Sequence, residues 1–128
     1  MKSRYLLPAF ILSYRKEFMR FHEKLYVGQS IQHVQHVRHL LRIGAGQFDI
    51  YLITVSKNSD QLDIFDSKYL KDKRHYDRKT LQIAGIAGSM GEAYGLVEQM
   101  AKDSCELGVP GQLREYLYRT DGSGKWKY

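Results

Sequence analysis

The sequence predicts an α+β domain, and three observations predict it. Apolar residues recur at helical spacing in the first third, a run rich in β-branched and aromatic residues at 48–56 breaks that period, and a strand-to-helix unit with cap and stop signals fills 80–111. The predicted order is two N-terminal helices, a three-stranded antiparallel meander, then one long and one short C-terminal helix. The 128 residues read as a single domain, with a basic helical segment at 1–47, an α+β core at 48–119 and a mobile tail at 120–128.

After Pro8, the residues Phe10, Tyr14, Phe18, Phe21 and Leu25 follow one another at steps of four, four, three and four, which places them on one helical face. Lys16, Arg20 and Lys24 then stack at one-turn intervals on the opposite face, and Gly28 ends the helix. A second helix is predicted from Ser30, as N-cap, to Gly44, at the C-cap, with Ile31, Val34, Val37 and Leu41 as its inner stripe. The run FDIYLITVS, 48–56, has apolar residues on both faces, as in a strand covered from two sides. A turn at KNSD, 57–60, leads into a second strand, QLDIFDS, 61–67, so the pair reads as a hairpin. The mixed-charge stretch KYLKDKRHYDRK, 68–79, reads as a solvated connection.

The third predicted strand runs from Thr80 to Ile86 and feeds the long helix. Ser89 and Glu92 fit the S-x-x-E capping box, and Met90, Ala93, Val97, Met100 and Ala101 form its predicted buried face. Gly108 and Pro110 stop it. A last helix over 112–118 places Leu113, Tyr116 and Leu117 inward.

Charge is placed unevenly. Residues 1–47 hold eight Lys or Arg against Glu17 and Glu23, while 48–128 hold twelve of each sign, so the whole formal excess of +6 belongs to the first third. The apolar run at 5–14 is too short to span a bilayer, contains Pro8, is followed by Arg15 and Lys16, and lacks a small-residue cleavage site. The single cysteine, Cys105, has no partner in the chain, which favours a reducing compartment. The expected location is therefore cytoplasmic.

No cofactor, metal site or catalytic group is expected. His33, His36 and His39 recur every third position, but each such step turns the side-chain direction by about 60°, so the three diverge and read as the flank of a helix. As imidazoles beside Arg38 and Arg42, they are expected to add positive charge in mildly acidic solution. The turn Gly85-Ile86-Ala87-Gly88-Ser89 lacks the lysine of a P-loop and the spacing of a dinucleotide-binding loop, and reads as a tight turn with a cap. Cys105 falls near the end of the long helix, away from the N-terminus that would activate a thiol. His75 with Arg74, Arg78 and Lys79 has the residue types for RNA cleavage. Two helices followed by strands over residues 10–79 resemble, in element order and not in motif, the small ribosome-dependent RNase toxins.

The leading expectation is a small, non-enzymatic intracellular accessory protein that binds nucleic acid or a nucleoprotein complex. The residues expected to carry it are Arg15, Lys16, Arg20, Lys24, Arg38 and Arg42. A protein-interaction module, inhibitor or adaptor, is the alternative. The RNase-like reading comes third, and an anionic membrane surface ranks below nucleic acid as partner.

Overall fold

The computed structural model describes residues 19–44, 49–56, 61–71 and 81–122. Four strands, β1 (Arg20–Val27), β2 (Tyr51–Val55), β3 (Leu62–Asp66) and β4 (Gln82–Ala87), form one sheet in the order β1-β4-β2-β3. Among the described residues three α-helices accompany them, α1 (Val34–Arg42), α2 (Met90–Glu106) and α3 (Leu113–Thr120), and a 3₁₀ turn at Ser67–Lys71 follows β3. The protein is thus a mixed α+β fold, with an element order that differs from the one its sequence predicts.

The first difference concerns residues 20–27, which form a strand where the spacing predicts a helix. A step of four residues returns to the same face in a strand as well as in a helix, so Phe21 and Leu25 satisfy both periods. What decides is the partner: Arg20 and Phe21 pair with Gln82 and Ile83 of β4, parallel to it. The part of the predicted helix before Met19 lies outside the described residues, as do the turn at 57–60 and residues 72–80. With a strand at 20–27, the two-helix order behind the RNase resemblance is not observed.

The second difference is the path of the sheet. β2 and β3 form the predicted hairpin, Leu52 opposite Phe65 and Ile53 opposite Ile64. β4 pairs with the other edge of β2, antiparallel, and lies between β2 and β1. This replaces the predicted meander. All six residues of β4 are buried, as expected of a strand paired on both sides and covered on both faces.

Helices cover both faces. Phe21, Leu52, Phe65, Ile83 and Ile86 pack with Val37 and Leu41 of α1, whereas Ile53, Val55, Ala84 and Ala87 pack with Ala93 and Met100 of α2 and Tyr116 and Leu117 of α3. Ile83 and Ile86 share a face although three residues apart, because Ala84 is an extra residue between the pairs Thr54–Ile83 and Ile53–Gly85.

The helix boundaries show how local signals fared. Ser89 caps α2, its hydroxyl accepting the Glu92 N–H at 3.1 Å, as the spacing predicts. Met90, predicted to be buried, is exposed. Ser30 is not the cap of α1: that position is His33, which makes no side-chain cap bond. Gly44, with φ 76°, closes α1 one residue beyond its C-cap Ile43. Of the predicted mobile tail, Thr120 is helical and Asp121 is buried, while 123–128 lie outside the described residues.

Candidate polyanion interface and the contacts that frame it

Of the six cations expected to bind, Arg15 and Lys16 lie outside the described residues. Arg20 and Lys24 sit on β1, not on a helix, Lys24 exposed and Arg20 half-buried. Arg38 and Arg42 sit on α1 one turn apart. The structure brings these two together over a single ring: their guanidinium carbons lie 4.7 Å and 5.2 Å from the centroid of Phe21. Each such contact is worth about 0.5–1 kcal/mol near a surface.

Phe21 is only 5% exposed, being held from below by the core between α1 and the sheet. The ring therefore acts as a floor that the two arginines cover. The spacing predicts Phe21 on a helical stripe and gives no sign of this role, because the contact joins β1 to α1.

The electrostatics at the pair are one-sided. Burial, and then the neighbouring Arg42 charge, lower the pKa of Arg38. From Lys24 to Phe48 the sequence contains no Asp or Glu. The nearest preceding acid, Glu23, has its carboxylate against Gly122, at the end of α3. Among the described residues neither Arg38 nor Arg42 forms an ion pair. His36 and His39 are exposed on the same helix, so the outer surface of α1 carries basic, imidazole and amide groups with no carboxylate.

Behind this surface, β1 leaves its ladder. Between the pairs Phe21–Ile83 and Tyr26–Gly85, β1 advances five positions while β4 advances two. The freed backbone donors find side chains: the Glu23 N–H donates to Asp121 Oδ1 at 3.0 Å and the Lys24 N–H to His22 Nδ1 at 3.0 Å. Buried His22 then donates from Nε2 to the Leu117 carbonyl at 2.9 Å, which assigns it the neutral tautomer with its proton on Nε2. α3 is in this way fastened to the bulge.

Further along β1, the Tyr26 hydroxyl donates to Asp103 Oδ2 at 2.5 Å and lies 2.6 Å from the Tyr116 hydroxyl. The proton order Tyr116 to Tyr26 to Asp103 satisfies both hydroxyls, and Gln99 Nε2 donates to the other carboxylate oxygen at 2.9 Å. Burial, with the bond to Asp103, raises the Tyr26 pKa, and the Tyr26 bond lowers that of Asp103. This chain ties β1, α2 and α3 together and keeps the Tyr26 hydroxyl protonated in its contact with the carboxylate.

The turn after β4 has a comparable filling. Glu92 Oε1 accepts the Gly88 N–H at 2.7 Å and the Ser30 hydroxyl at 2.8 Å, and Oε2 accepts the Ser30 N–H at 3.3 Å. A Cβ on Gly28 would overlap this carboxylate, and one on Gly88 would overlap the Ser30 hydroxyl. The helix N-terminus, where an external anion is often held, here receives an anion of its own chain. Ser30 is drawn into that contact, which accounts for its absence from the cap of α1.

Among the described residues no group of three or more His, Cys, Asp or Glu is placed to hold a metal ion, and no helix is long and apolar enough to cross a membrane. Cys105 is exposed near the end of α2. His75, Arg74, Arg78 and Lys79 lie outside the described residues. No protein-family model, curated protein or solved structure matches the chain.

Proposed function

We infer that the protein is a non-enzymatic accessory factor that binds a nucleic acid, free or within a nucleoprotein, through the surface formed by α1 and β1. The observation that supports this reading is the convergence of Arg38 and Arg42 on Phe21 in a stretch of chain that carries no acid. Two like charges held on one small platform, with no carboxylate of the described residues between them, gain most from an anion arriving from outside. Lys24, exposed on the adjoining strand, adds a phosphate contact of the kind that positions a ligand without reading its sequence.

Binding of wild type and of Arg38→Gln/Arg42→Gln to a mixed-sequence oligonucleotide, measured by fluorescence anisotropy across a salt series, tests the reading. Affinity is expected to fall for the variant on every sequence, and the slope of log K against log salt to flatten by about 1.5–2. A wild type that binds no oligonucleotide at low salt would reject the assignment.

A protein-interaction module is the second reading, favoured by the outer face of α2. Met90 and Tyr94 are exposed there at one-turn spacing, Tyr94 to 58%, and Gly91 and Gly95 beside them have open space around them. A stoichiometric protein complex that survives high salt and is lost in Tyr94→Ser would select it.

A further inference from the structure

Resting on the nucleic-acid reading, we propose that Arg38 and Arg42 form a single phosphate clamp: both guanidinium groups close on the oxygens of one phosphate of a bound strand. The ring beneath them fixes where that phosphate sits.

Geometry comes first. Residues four apart on a helix have Cβ atoms about 5–6 Å apart, and both side chains here lean onto the same ring, at 4.7 Å and 5.2 Å from its centroid. Their N–H groups can therefore reach different oxygens of one phosphate at the about 2.8 Å usual for charge-assisted bonds.

Preorganisation comes second. Arg38 is half-buried and its pKa is lowered by burial and by Arg42, so the pair is held together against its own repulsion. A phosphate placed between the two groups removes that repulsion and adds forked hydrogen bonds that an ammonium cannot reproduce. A base is the less suitable ligand for this spot, because Phe21 is covered and offers no face for stacking.

The test is an arginine-to-lysine exchange. Arg38→Lys/Arg42→Lys keeps both charges and long stems over Phe21, so thermal unfolding followed by circular dichroism should match wild type. A clamp predicts that this variant loses at least about tenfold in affinity for a mixed-sequence single-stranded oligonucleotide while its salt slope stays unchanged. A diffuse basic surface predicts wild-type affinity, and that result would overturn the clamp while leaving the wider nucleic-acid reading standing. Absence of salt-dependent binding by wild type removes both. In the wild-type protein, ¹⁵N-resolved Nε–H signals of Arg38 and Arg42 should move together with one midpoint during the titration; movement of one alone contradicts the proposal. Running the titration with 5′-phosphorylated and 5′-hydroxyl strands assigns the source, a preference for the former marking a terminal phosphate and equal affinity an internal one.

Discussion

The Glu92 carboxylate holds three groups from two other segments, and this sets what its removal costs. Glu92→Ala should destabilise the fold by about 1–3 kcal/mol, since the Gly88 N–H and both Ser30 donors lose their acceptor. The Glu92 pKa is lowered, chiefly by the Gly88 N–H. A carboxyl whose folded pKa is depressed stabilises fully above its ordinary range and loses that contribution as the pH falls through the lowered value. Urea unfolding at pH 7 and at about pH 3 should therefore show the gap between wild type and variant narrowing on acidification; an unchanged gap would mean that charge is not what the contact uses. Ser89 and Glu92 were legible in the sequence because a cap is a local event three residues long. The approach of Ser30 and Gly28 to the same carboxylate was not, because it joins segments more than sixty positions apart in the chain.

At the scale of elements, β1 and α3 depend on each other through His22. His22→Leu keeps much of the volume but leaves the Lys24 N–H and the Leu117 carbonyl without that partner. The expected loss is about 2–4 kcal/mol in chemical denaturation, with faster amide exchange at Glu23 and Lys24 than elsewhere in β1. Equal exchange along the strand would show that the bulge is held by other contacts. A histidine beside an amphipathic stripe carries no sign that it will turn inward and serve two backbone groups, and a bulged strand blurs the alternation that would have announced it. α2, with its capping box and its Gly108 stop, contains its own signals and was read to within a residue or two.

Over the whole molecule, the hairpin was legible and the neighbour of β2 was not. Short connections make sequential strands adjacent by default, and that expectation placed β4 beside β3. The covering of both faces was visible in the unbroken apolar run of β2, but the same run fits several strand orders. The observed order makes a distinct prediction for native-state hydrogen exchange. β4, buried throughout and paired on both sides, should contain the most protected amides, with β2 next and the two outer strands opening at lower free energy. Protection in β3 equal to that in β4 would contradict this arrangement.

The bulge of β1 has one more consequence. A strand whose ladder is interrupted at His22–Leu25, and whose free N–H groups are taken by Asp121 and His22, offers a poor template for another strand. Among the described residues, the sheet's other border is β3, a regular strand with Asp63 exposed and Asp66 at its end. Growth of this sheet by strand addition, whether in self-association or in aggregation, is therefore directional: it starts at β3, against negative charge, and stops at β1.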